Sequence, residues 1–207
     1  MTADGRTRVP LHLAPRESVF VVFRRVAAAP ERHLPQPAPT TLVTVSGPWD
    51  VTFPPNLGAP AKVQLSKLES WTANADGGVR FFSGTATYTK TMQAPAAWFQ
   101  PGAKLWLDLG TVKDLAVVSI NGTEVGTAWH APYCVDVTGA LKPGPNRVEI
   151  QVTNEWTNRQ IGDRSLPAER RVLAAAPAGP GLGRGGAQTP LESGLLGPVA
   201  VISLEKR

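Results

Sequence analysis

Residues 114–154 read DLAVVSINGTEVGTAWHAPYCVDVTGALKPGPNRVEIQVTN. The run 114–120 is β-branched and apolar and stops at Asn121-Gly122. That pair is a strong type I′ hairpin signal, because both turn residues must accept a positive φ. The following TEVGTAW is then the return strand. At the far end, NRVEIQVTN (146–154) alternates cleanly. Val148, Ile150 and Val152 face a core, and Arg147, Glu149, Gln151 and Thr153 face away from it. Strand, tight turn, strand and a further strand set an all-β reading.

The same reading extends outward. LVTVSGPWDVTF (42–53) suggests two short strands broken at Gly47-Pro48. In GTATYTKTM (84–92) Thr85, Thr87, Thr89 and Thr91 face one way and Ala86, Tyr88, Lys90 and Met92 the other. KLWLDLG (104–110) puts Leu105, Leu107 and Leu109 on one side, and GPVAVISLEK (197–206) reads as a closing strand. No segment carries the pattern of a three-turn amphipathic helix. Glycine and proline number 20 each, which suits strands and turns better than helices. Many short strands with turns between them predict an antiparallel sandwich.

Three segments are expected around it. ESVFVVFRRV (17–26) reads as a buried strand that adds to a sheet or docks on its edge, so residues 1–26 form an N-terminal strand segment. AAAPERHLPQPAPTT (27–41), with four prolines, is expected to be an extended linker. The sandwich then occupies 42–207, interrupted by a Gly/Pro-rich loop at 162–194. Its second half is expected to be disordered, and PAERRVLAAA is expected to supply a helical turn or two.

The net charge of +5 invites a nucleic-acid reading. The positive residues are scattered, however, with no dense basic run and no binding motif, so neither nucleic acid nor membrane is expected as a partner. Cys134 is the single cysteine, which excludes an intrachain disulfide and a cysteine-based zinc cluster. The N-terminus lacks the apolar stretch of a signal peptide, and no run reaches membrane-spanning length. A soluble chain is expected, its compartment unspecified.

VSGPWDVTFPP, LESWTANADGGVRFFSGTATYTKTM, the long run from LWLDLG to NRQIGD and SGLLGPVAV together resemble the C-terminal region of the α-L-rhamnosidases of glycoside hydrolase family 106. More loosely, INGTEVG followed by YCVDVTGALKPGPNRVEIQVTN resembles the sugar-binding jelly roll of family 2 glycosidases. PRESVFVVFR is similar to the strand that precedes this module in the rhamnosidases. The resemblance covers roughly residues 10–202. It implies a galactose-binding-like, antiparallel jelly-roll β-sandwich, with a carbohydrate and the catalytic domain of a parent glycosidase as partners. It also implies that the catalytic acids lie in a barrel upstream. A (β/α)8 barrel needs about 200–250 residues, and none precedes residue 17. The chain therefore looks like an accessory module, non-catalytic alone, of an α-L-rhamnosidase that is periplasmic or secreted. TAWHAPY and the Gly-rich run 177–187 depart from the family pattern.

Two clusters are candidate ligand contacts. Trp129, His130 and Tyr133 form either a platform for the C–H face of a pyranose or a rim that closes the sandwich. In NEWTNRQIGD (154–163), Trp156 offers a second platform, and Asn158 and Arg159 supply donors and acceptors suited to adjacent hydroxyls. Alternatively, Arg159 pairs with Asp163 or Glu155 and pins the loop to the sheet. Glu155 and Asp163 are the one acidic pair with a case for glycoside hydrolysis, and their spacing does not specify the separation that chemistry needs. There is no nucleophile elbow, and the three histidines have no metal-ligand spacing. No cofactor is expected, and no clustered Asp/Asn loop argues for a structural calcium.

Overall fold

The computed structural model describes residues 6–11, 13, 18–25, 38–173 and 189–204. Twelve strands follow in order: β1 (Pro39–Thr44), β2 (Trp49–Thr52), β3 (Lys62–Leu65), β4 (Thr85–Ala94), β5 (Leu105–Asp108), β6 (Thr111–Lys113), β7 (Leu115–Ile120), β8 (Thr123–Ala128), β9 (Cys134–Asp136), β10 (Gly144–Thr153), β11 (Gly194–Gly197) and β12 (Ala200–Leu204). Two α-helices accompany them among the described residues, α1 (Gly77–Arg80) and α2 (Thr157–Arg164).

One layer is a six-stranded sheet in the order β3-β2-β4-β10-β7-β8, and the other a four-stranded sheet in the order β1-β12-β5-β9. Every pairing within them is antiparallel. β6 and β11 form a separate two-stranded ladder. The fold is the all-β sandwich that the alternation predicts.

The period-2 pattern decides what lies between the layers. Val148, Ile150 and Val152 are fully buried from β10, Ala86 and Tyr88 from β4, and Leu105 and Leu107 from β5. Burying each large aliphatic side chain stabilises the fold by about 1.5–3 kcal/mol before conformational entropy is charged against it. Asn121 and Gly122 join β7 to β8 at φ 53° and 84°, the positive values that the turn requires.

An aromatic knot closes one side of the core. Phe53, Trp71 and Phe82 meet edge to face, and Trp71 stacks on Tyr88. Trp71 Nε1 donates to Tyr88 Oη at 2.6 Å, and the Leu195 amide donates to the same oxygen at 3.1 Å. Tyr88 thereby holds β11 against the core. Gly194 sits at φ 94°, where a Cβ would lie 2.7 Å from the Trp71 ring, so glycine is required there.

Three expectations need correction. Residues 18–25 form no strand, and Phe20, Val22 and Phe23 project into solvent. β-propensity makes a segment fit for pairing but supplies no partner. β1 begins at Pro39, inside the segment read as linker. The ten-residue run 154–163, read as loop, carries most of α2. The expected turn in PAERRVLAAA is a single 3-10 turn at Ala168–Arg170, and the Gly-rich half of the 162–194 loop, residues 174–188, lies outside the described residues. Among the described residues, no helix is long and apolar enough to cross a membrane.

Candidate functional site

β10 ends and β7 begins at the same end of the six-stranded sheet, with Thr153 opposite Leu115. The chain leaves β10 at Asn154, whose carboxamide is spent on structure. Its Oδ1 accepts from the Gly84 amide at 2.9 Å, and its Nδ2 donates to the Phe82 carbonyl at 2.9 Å. Glu155 and Trp156 follow, both exposed, and α2 begins at Thr157.

Asn158 and Arg159 are buried, and both are bound internally. The Asn158 carboxamide imitates a strand partner. It accepts from the Leu191 amide at 2.8 Å and donates to the Leu191 carbonyl at 2.7 Å. Arg159 Nε lies 3.0 Å from Asp163 Oδ1, and the two Asp163 oxygens also accept from the Val172 and Leu173 amides. Arg159 is therefore withdrawn as a ligand partner, because its guanidinium faces a buried carboxylate and not solvent. Asp163 is withdrawn as a catalytic acid for the same reason. The structural reading of this cluster describes its geometry.

What these anchors leave open is a hollow of about 370 Å³. Asn154, Glu155, Thr157 and Asn158 line one side, Lys113 and Asp114 another, and Leu191, Glu192 and Ser193 the third. Lys113 and Glu192 form a surface ion pair at 3.8 Å. Trp156, 46% exposed, sits in the chain between two lining residues. Carboxylates accept from hydroxyls, amides and hydroxyls do both, and an indole face packs on C–H groups. Those are the groups a pyranoside needs.

The other cluster stands apart from it. Trp129 follows β8 at the same end of the sheet and is 69% exposed. It meets His130 edge to face at 4.6 Å, and His130 Nδ1 donates to the Ala131 carbonyl at 2.9 Å. Tyr133 is half-buried and packs on the core. Trp129 is thus largely exposed, while Tyr133 packs against the core.

A larger hollow of about 660 Å³ lies at the opposite end, beside the Asn121-Gly122 turn. It has no aromatic lining, and several of its polar groups are already engaged. Asn121 Nδ2 donates to the Ala140 carbonyl and to Asn146, and Asp136 accepts from the Thr138 amide. Burial opposes ionisation of Asp136, but the Thr138 hydrogen bonds and the Lys104 charge hold its carboxyl below the usual range. Size alone does not make it the better site. Among the described residues, no group of three His, Cys, Asp or Glu side chains is placed to hold a metal ion.

Lys113, Asp114, Glu192 and Ser193 were not legible in the sequence as site residues. They reach the hollow through the β6–β11 ladder, in which Gly194 pairs with Lys113. That ladder is too short to announce itself.

An antiparallel two-layer β-sandwich is the architecture of a galactose-binding-like domain. Residues 71–178 match the family "Glycosyl hydrolase 2 galactose-binding domain-like", and the chain belongs to it. It is 43% identical, over 70% of its length, to a Formosa agariphila protein provisionally named beta-glucuronidase, and spans 12% of that protein. It superposes on the structure of a rhamnosidase from Novosphingobium sp. PP1Y with TM-score 0.82 and 45% identity, covering 94% of this chain and 18% of that one. A beta-glucuronidase from Ruminococcus gnavus matches with TM-score 0.54 and 24% identity over 84% of this chain and 30% of its own, a likeness of fold alone.

Proposed function

We propose that the chain is a non-catalytic carbohydrate-binding module of a glycoside hydrolase, of the kind carried C-terminally by family 106 α-L-rhamnosidases. Its ligand is a rhamnose-containing glycan. The observation that carries this reading is the hollow lined by Asp114, Glu155 and Thr157, where hydroxyl-binding groups converge, with the exposed Trp156 lying in the chain between two of the lining residues. The sugar's apolar face packs on Trp156, and its hydroxyls meet Glu155, Asp114 and Thr157. Trp129 and His130 offer a second contact to a longer glycan. The 45% identity to a rhamnosidase over nearly the whole chain supports the choice of sugar.

Titration calorimetry with rhamnosides tests the proposal. Binding that Trp156→Ala abolishes while the fold persists is expected. No heat from a folded chain ends the reading. Aryl rhamnosides are expected not to turn over, since Asp163 is committed to Arg159.

A second reading has its own observation. Phe20 is 92% exposed and Phe23 71%, and such a segment fits a docking role against the catalytic domain of a longer glycosidase. Both roles are compatible in one module.

A further inference from the structure

We propose that the hollow beside Trp156 selects neutral pyranosides and rejects uronates. This inference rests on the carbohydrate-binding reading and adds the ligand's charge class. The two relatives at 43% and 45% identity carry the names of enzymes for sugars of different charge, a beta-glucuronidase (anionic) and a rhamnosidase (neutral). The charges around the hollow discriminate between those classes.

Three carboxylates line it, those of Asp114, Glu155 and Glu192, against one ammonium, that of Lys113. Lys113 is engaged with Glu192 at 3.8 Å. Asp114 and Glu155 remain without a countercharge among the ion pairs of the described residues. A uronate seated there places a third carboxylate beside these two. Arg159, the cation nearest to Glu155 in the chain, points inward to Asp163 and gives no relief. The chain's net charge of +5 acts from farther off, and screening removes most of it beyond a Debye length of about 8–10 Å. The local sign therefore decides. A neutral sugar meets the same carboxylates as hydroxyl acceptors, which strengthens its binding.

The test is calorimetric titration of the 207-residue chain with the methyl glycosides of α-L-rhamnose, β-D-glucose and β-D-glucuronic acid. The last two differ only at C6, so their comparison isolates charge. The glucuronide is expected to bind at least about fivefold more weakly than the tighter neutral glycoside at about 0.02 M salt. That ratio is expected to fall toward unity at about 0.5 M salt, where the screening length is only a few ångströms. It is also expected to fall in the double variant D114N/E155Q, which keeps shape and removes charge. A glucuronide that binds as tightly as the neutral sugars overturns the charge selection and leaves carbohydrate binding intact. A ratio unmoved by both salt and the double variant overturns it too, by assigning discrimination to shape. A folded chain that binds none of the three overturns the carbohydrate-binding reading itself.

Discussion

Tyr88 is buried between the sheets, yet its hydroxyl accepts from two donors, Trp71 Nε1 and the Leu195 amide. Burial pushes that hydroxyl well above its ordinary pKa, so it stays neutral. Tyr88→Phe keeps the ring and strands both donors in the interior. The expected loss is about 2–4 kcal/mol in urea unfolding, and a loss below about 1 kcal/mol would refute the account. Cys134 makes a different prediction. Burial pushes its thiol up to about 12, with the Asp108 carboxylate adding to the shift. The thiolate is the reactive form, and far less of it is present at pH 8 in the folded chain than in the unfolded one. Iodoacetamide is expected to label the native protein very slowly and the urea-unfolded protein fast. Rapid native labelling would show the site to be open. The alternation in GTATYTKTM places Tyr88 inside, but its hydrogen-bond partners come from residues 71 and 195, a link that local pattern does not contain.

At the scale of elements, the long strands were the most legible. β4 and β10 run ten residues each, and their alternation survives in the burial pattern. β3, β6 and β9 have three or four residues, too few for a period to show. α2 hid because the three side chains it buries, Asn158, Arg159 and Asp163, are all polar, against the rule that an inward helical stripe is apolar. Its anchor is the Arg159–Asp163 pair, and the cost of breaking it is specific. Asp163→Asn leaves a buried guanidinium without its countercharge and is expected to lose about 3–5 kcal/mol. Glu192→Gln breaks the exposed pair with Lys113 and is expected to change stability by less than about 0.5 kcal/mol. Equal effects in urea denaturation would mean that α2 is not held by this pair. The candidate site shares the same limit. Trp156 and Asn158 stand out in the sequence, whereas Asp114 and Glu192 join them only once β6 and β11 have paired.

For the whole molecule, the decisive feature is a segment that the sandwich does not use. VFVVF (19–23) has the composition of an interior strand, and the core behind β1 to β12 is complete without it. Sequence pattern identified its β-propensity and could not identify its partner, because a strand's partner is a property of the fold and not of the strand. An apolar run this exposed raises the free energy of the isolated chain in water and favours any contact that covers it. In concentrated solution the available cover is a second copy. The chain is therefore expected to self-associate, and Phe20→Asp with Phe23→Asp is expected to render it monomeric by light scattering. Because neither ring packs in the sandwich, urea unfolding of that double variant is expected to stay within about 0.5 kcal/mol of the parent. Trp156→Ala is expected to leave association unchanged, since Trp156 lies outside the segment. Self-association that persists without the two phenylalanines but disappears with Trp156 would reverse the assignment, making the rim the docking face and removing the main support for a sugar there.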